Sequence, residues 1–297
     1  MTARTEQLRA LLASGEFLYM PSATTPIEGK LAEAAGVKVV YTGGYATGAT
    51  RAISEPLLTM DEQIRVAGEV ARAIAAPLVA DAGAGFGEPL HAMRTVREFA
   101  AAGVAGIHIE DQLFPKRAHY HKYVAHAIPL PEFVDKIRWA CRERDRVDRN
   151  FVIIARSDTC REFGLDEAIS RVNAAAEVGA DLGLVFPRND SEAEAAPGRA
   201  KLPLVWVQSR GNRDGRPIYS LEQLQRMGYR ACIDAQLLLG VGVHFMKQAL
   251  AEILRTGRYT GIGDNHFTAL RQNIEDMIGL DSYYEIEAAT VEKTEPR

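Results

Sequence analysis

Short apolar, β-rich runs recur eight times along the chain, and most are followed by a longer segment whose apolar residues fall at helical spacing. The runs lie at 17–20, 38–42, 77–81, 106–110, 151–156, 181–186, 203–207 and 230–234. Helical patterns fill 60–75, 90–102, 130–144, 165–177 and 221–227, and the first ten residues read as an amphipathic helix. Several helices end in glycine just before the next run, as at Gly36, Gly103 and Gly179, which is the expected C-terminal cap. Eight alternations without a linker-like break predict a (β/α)8 TIM barrel, α/β in class, as a single domain over 1–297. An open doubly wound sheet is the alternative, disfavoured because no Gly-x-Gly-x-x-Gly follows the first run. Beyond the eighth run, 237–255 and 270–278 predict a C-terminal helical extension from about 237. A helical tail past a complete barrel needs something to pack on, and another subunit would serve.

Two of these runs stop abruptly in acids. Asp81 closes the third and is followed by Ala82-Gly-Ala-Gly-Phe-Gly87; Glu110 and Asp111 close the fourth. In a parallel barrel, chemistry gathers at the carboxyl ends of the strands, so acids from neighbouring strands are expected to converge on one hard cation. By strand alternation His108 and Glu110 share a face, and polar groups facing a barrel interior must be paired or metal-bound. Glu110 is the candidate ligand, and His108 its structural neighbour.

Other strand ends add candidates. Arg156, closing Phe151-Val-Ile-Ile-Ala155, suits a bidentate grip on a carboxylate or phosphonate, or a salt bridge to Asp81 or Glu110. Tyr41, Thr42, Gly43 and Gly44 end the second run, where glycine amides form a cradle for an oxyanion. Lys116-Arg-Ala-His119-Tyr-His121-Lys-Tyr123 follows the fourth run. This segment reads as a lid over the barrel mouth, with Lys116, His119 or His121 moving a proton. Cys160, Arg188, Gln208, Ser209 and Arg210 are secondary candidates for the pocket wall.

Composition narrows the picture little further. With 35 Lys and Arg against 39 Asp and Glu, the net charge of −4 points to no nucleic-acid or membrane partner. Three widely spaced cysteines suit a reducing, cytoplasmic setting, and by the apolar pattern no run approaches bilayer-spanning length.

In order and spacing, Thr42-Gly43-Gly44, Asp81 with Gly85-Phe86-Gly87, Ile107-His-Ile-Glu-Asp-Gln112, Lys116-Arg117 and Ala155-Arg-Ser-Asp158 resemble the isocitrate lyase and phosphoenolpyruvate mutase superfamily. The resemblance covers nearly the whole barrel. It implies a last helix swapped between subunits, homodimers or homotetramers, Mg²⁺ (or Mn²⁺), and a small α-oxycarboxylate substrate. It also implies chemistry through a metal-stabilised enolate, with Glu55 as a third acid near the metal. The chain departs from that pattern at five places: Gly83 stands where the superfamily has a second aspartate, Glu55 is a conservative change at the loop-entry acid of the second strand, and Ala118 replaces the lid cysteine, Arg188 a glutamate and Val207 an asparagine.

The expected activity is therefore a divalent-metal-dependent carbon–carbon lyase. It would cleave a small 2-hydroxy or 2-oxo dicarboxylate by retro-aldol reaction or decarboxylation. The alternatives are C–P chemistry on a phosphonopyruvate-like substrate and a non-catalytic α-oxyacid-binding barrel.

Overall fold

A computed structural model describes residues 3–118 and 122–292. Eight parallel strands make up its core: β1 (Leu18–Pro21), β2 (Val40–Thr42), β3 (Leu78–Asp81), β4 (Gly106–Glu110), β5 (Val152–Arg156), β6 (Leu182–Leu184), β7 (Leu204–Gln208) and β8 (Ala231–Asp234). Hydrogen bonding joins them in the order β1-β8-β7-β6-β5-β4-β3-β2. The last seam is narrow. A single parallel bridge from Ser22 to Tyr41, with Ala23 N–H donating to the Tyr41 carbonyl at 2.8 Å, brings β1 against β2 and nearly closes the barrel.

Around the strands run α1 (Ala3–Ala13), α2 (Pro26–Ala34), α3 (Gly44–Thr50), α4 (Met60–Ala73), α5 (Pro89–Ala101), α6 (Leu130–Val147), α7 (Cys160–Ala176), α8 (Asp190–Arg199) and α9 (Leu221–Met227). The helices the apolar pattern did not show, α2, α3 and α8, are short. Capping explains one of them: Thr25 and Glu28 form a reciprocal capping box ahead of α2, and Pro26 opens its first turn.

Strand alternation separates two layers. Leu18, Met20, Tyr41, Val79, Ile154, Leu184, Val205 and Ile233 pack inside the barrel, where Leu8 of α1 joins them. Val40, Leu78, Ile107, Ile109, Ile153 and Ala155 face outward against the helices. Register then decides the chemistry. Asp81 lies beside His108, and Glu110 beside Arg156, so all four fall on the inward face at the carboxyl end of β3, β4 and β5.

The chain divides into two compact units, Met1–Leu239 and Gly240–Arg297. The second consists of most of α10 (Leu237–Thr256) with α11 (Asp264–Ile278) and α12 (Leu280–Ala289). No described residue of these three helices is buried, and Phe245, Leu250, Leu254, Phe267 and Ile286 stand exposed. One expectation is corrected here: α10 is long and apolar enough, by length and composition, to cross a membrane. Its few charges, Lys247, Glu252 and Arg255, are spread among apolar residues, so the sequence reads as an amphipathic tail although its average is apolar.

Candidate active site

At the carboxyl end of the barrel lies a cavity of about 160 Å³ whose lining includes Tyr41, Gly43, Gly44, Glu55, Asp81, His108, Arg156, Asp158, Phe186, Arg188, Ser209, Asp214 and Arg216. Drug-sized sites run to roughly 300–1,000 Å³, so this one suits an acid of a few carbons.

Asp81 is fixed by backbone. Its Oδ1 accepts from Gly83 N–H at 2.8 Å and its Oδ2 from Gly44 N–H at 3.1 Å. Glycine is needed at 44, because a Cβ there would stand 2.9 Å from Glu55 Cγ and 3.0 Å from Asp81 Oδ2. Burial pushes the Asp81 carboxyl up, but His108, Lys116 and Arg156 together outweigh it and hold the group below the usual carboxylate range. Burial dominates at His108, lowering its ring to about 4, so the imidazole is neutral at physiological pH. Its Nε2 lies 2.8 Å from the Tyr41 hydroxyl, and its Nδ1 lies 3.6 Å from Asp81 Oδ1 without a hydrogen bond. A neutral ring with its proton on Nδ1, accepting from Tyr41, fits both distances. Burial, with Asp81 next, keeps the Tyr41 phenol protonated.

Lys116 is not a solvated lid residue. Its Nζ is 2.5 Å from Glu55 Oε1 and 3.0 Å from Glu110 Oε1, in an environment where lysine, Glu55 and Glu110 side chains are 8%, 7% and 0% exposed. Glu110 is raised to about 7 by burial; Lys116 and Arg156 pull it down, while Asp158 and Asp81 push it up. Arg156 grips Asp158 with two bonds, Nε to Oδ1 at 2.8 Å and Nη2 to Oδ2 at 3.0 Å, and reaches Glu110 Oε2 at 3.2 Å. Arg188 binds Asp214 through its side chain at 2.6 Å and through the backbone carbonyl at 2.9 Å.

Asp81, Glu55, Tyr41, Gly43, Gly44, Arg156 and Arg188 thus meet at one cavity, with Glu110 and Lys116 packed against it. Other expectations change. The amides of Gly43 and Gly44 are engaged by Ser22 Oγ and Asp81 rather than facing the cavity unbonded. Thr42 is on the outward face of β2, donating to Ala23 O at 3.0 Å. Asp111 turns away to accept from Ser157 Oγ at 2.7 Å and Asp158 N–H at 3.0 Å. Cys160 is buried in the outer core, where burial lifts its thiol to about 12. Gln208 bonds Trp206 and Tyr219, and Arg210 pairs with Asp234. His119 and His121 lie outside the described residues.

The sequence reading overlooked Asp158, Asp214 and Arg216 as cavity residues. Asp158 was within reach, two residues past Arg156. Asp214 and Arg216 belong to a long charged loop after β7, Arg210-Gly-Asn-Arg-Asp-Gly-Arg216, whose glycines and position at a barrel mouth were the available signal.

A model of the phosphoenolpyruvate phosphomutase family matches residues 8–254. The chain belongs to this family. It is 35% identical over 260 residues to the probable 2-methylisocitrate lyase 2 of Corynebacterium glutamicum, covering 87% of this chain and 83% of that one. Among solved structures of the same superfamily, 2,3-dimethylmalate lyase superposes with a TM-score of 0.87 at 27% identity, over 97% of this chain and 96% of that one. Phosphonopyruvate hydrolase in complex with oxalate and Mg²⁺ superposes at 0.82 and 26%, over 98% and 100%.

A divalent cation of the kind held in the phosphonopyruvate hydrolase complex needs several oxygen donors converging on one point. Among the described residues no three His, Cys, Asp or Glu side chains are gathered tightly enough to hold a metal ion between them. Glu110 Oε1, however, is fully buried with no hydrogen bond aimed at it, although Lys116 Nζ is near. A buried carboxylate oxygen lacking a hydrogen bond, with Asp81 anionic and Glu55 adjoining, is an all-oxygen donor set suited to Mg²⁺ or Mn²⁺.

Proposed function

We propose that the protein is a divalent-cation-dependent carbon–carbon lyase acting on a small 2-hydroxy or 2-oxo dicarboxylate, by retro-aldol cleavage or decarboxylation. The observation that carries this reading is the arrangement of charge in the cavity: Asp81 and Glu55 on the β2–β3 side, and on the β5–β7 side Arg156, Arg188 and Arg216, offset in part by Asp158 and Asp214. An acid bearing an α-oxygen at one end and a second carboxylate at the other matches that polarity. Similarity to a probable methylisocitrate lyase and to a dimethylmalate lyase supports the same substrate class.

Asp81, Glu55 and Glu110 would hold the cation, in part through water, since they are not gathered into a direct cage. The cation supplies a Lewis acid for the substrate's α-oxygen. Arg156, rigidly held by Asp158 and Glu110, presents a guanidinium to the α-carboxylate. Tyr41, protonated and donating to neutral His108, would form a fixed wall of the cavity whose hydroxyl oxygen can accept from the substrate, and the proton that carbon takes up after the bond breaks would come from solvent. The apolar residues of α10–α12 are proposed to pack against another copy of the chain, giving a homodimer or homotetramer, which light scattering would test.

The experiment for the reaction is ¹H and ³¹P NMR with Mg²⁺ or Mn²⁺ on oxaloacetate, alkylmalates, methylisocitrate and phosphonopyruvate, with and without chelator. Chelator-sensitive pyruvate or glyoxylate from a carbon acid, lost in Asp81→Ala, is expected. Turnover of the phosphonate alone, or activity surviving Asp81→Ala, would overturn the assignment.

A further inference from the structure

Arg188 and Arg216 carry the argument furthest. Both line the cavity on the side away from Asp81 and Glu55, and both lean on a single acid, Asp214. Arg188 commits both terminal nitrogens to Asp214, at 2.6 and 2.9 Å. Arg216 is held more loosely. Its Nε is 3.4 Å from Asp214, and its terminal nitrogens make no hydrogen bond among the described residues. The guanidinium is nonetheless 7% exposed and lies over the Phe186 ring, 4.8 Å from its centre, while Arg156 lies 4.9 Å from the same ring. The unspent donors of Arg216 open onto the cavity, where an anion would complete them with a charge-assisted bond that water makes only weakly.

We propose that Arg216, steered by Asp214 and Arg188, is the specificity-determining receptor for the substrate's distal carboxylate. The inference rests on the α-oxyacid lyase reading above and adds what that reading leaves open, which residues select the far end of the substrate and with what charge.

Local charge decides the chemical class. Two arginines against one aspartate leave a surplus of one positive charge. Arg156 adds none, being matched by Asp158 and Glu110, and Arg161, which also lines the cavity, is solvent-exposed, donates to the Tyr123 carbonyl at 3.1 Å and has its charge screened by water. One surplus charge balances a carboxylate; a phosphonate, close to a dianion at neutral pH, would be left short. The flat guanidinium also offers two parallel donors, the geometry a carboxylate takes. Phe186 fixes the plane of the group from behind.

The test is isothermal titration calorimetry of the full chain with Mg²⁺, using probes that differ only at the far end: malate, 2-hydroxybutyrate and 3-phosphonolactate. Wild type is expected to bind malate at least about tenfold more tightly than 2-hydroxybutyrate, the worth of one charge-assisted contact. Arg216→Gln should bring the two affinities to within about twofold while 2-hydroxybutyrate binds as before, and Arg216→Lys should restore part of the preference. Asp214→Asn, which raises the local surplus to two charges, should shift preference from malate toward 3-phosphonolactate, a gain that damage to the fold would not produce.

Equal binding of malate and 2-hydroxybutyrate by wild type, or a malate preference intact in Arg216→Gln, overturns this inference and leaves the lyase reading standing. Tighter wild-type binding of 3-phosphonolactate than of malate overturns it in favour of a phosphonate at the same place. If neither 2-hydroxybutyrate nor malate binds, the α-oxyacid reading itself fails and the inference falls with it.

Discussion

Replacing Lys116 with methionine removes the cation that stands between Glu55 and Glu110 and keeps the side chain's bulk. In an exposed bridge the loss would be a few tenths of a kcal/mol. Here all three side chains are nearly inaccessible, so the relevant comparison is a buried pair stripped of one member, which costs about 3–5 kcal/mol. In a unit of this size that lowers the melting temperature by roughly 6–20 °C. The loss should depend on pH. Burial raises Glu110 in the folded protein to about 7, above its unfolded value of about 4.3. Its contribution is therefore fully present below the unfolded value and disappears as pH rises through about 7. Without Lys116 the carboxyl rises further, so the variant's deficit is largest near pH 8.5 and shrinks near pH 5.5, where Glu110 takes up a proton. Urea unfolding followed by tryptophan fluorescence at those two values, for wild type and Lys116→Met, measures it. A deficit below about 1 kcal/mol, or one equal at both pH values, refutes the buried-bridge reasoning.

Three further outcomes follow from the same geometry. His108, lowered by burial to about 4, stabilises the fold above its unfolded value of about 6.5 and loses that contribution as pH falls toward 4. This opposes Glu110 and Asp111, the latter raised by burial to about 6, over nearly the same window, so Glu110→Gln combined with Asp111→Asn should expose a stability that climbs with pH between about 4 and 6.5, read by denaturant titration; a flat profile would contradict it. Gly83 has φ 51°, a left-handed conformation that aspartate tolerates, and no atom lies within 4 Å of a Cβ built there. Gly83→Asp should therefore cost no more than about 1 kcal/mol by thermal unfolding and raise Mn²⁺ affinity about tenfold, measured by electron paramagnetic resonance. Finally, a Cβ at Gly106 would sit 2.8 Å from Val152 Cβ and 2.9 Å from its carbonyl oxygen, so Gly106→Ala should destabilise by about 1–3 kcal/mol in the same unfolding assay.

The barrel was legible because its information is local. Alternating apolar runs and helical spacing located eight strands to within a few residues, and the acids and arginine at the ends of β3, β4 and β5 were visible as polar interruptions of apolar runs. Asp81, Glu110 and Arg156 could be named from that pattern alone, since any side chain closing an inward strand position must enter the mouth.

What a neighbouring side chain does to a candidate was not legible. That Lys116 folds back between two acids, that the Gly44 amide serves Asp81, and that Asp214 shares itself between Arg188 and Arg216 all depend on loops meeting across intervals of about 25 to 60 residues. Strand periodicity carries no record of such meetings, because pairing between loops is set by barrel closure and register. The sequence by itself therefore determined the architecture and the kinds of charge at the mouth. Only the tertiary structure decided which charge neutralises which, because burial makes each pairing depend on every group that shares the cavity.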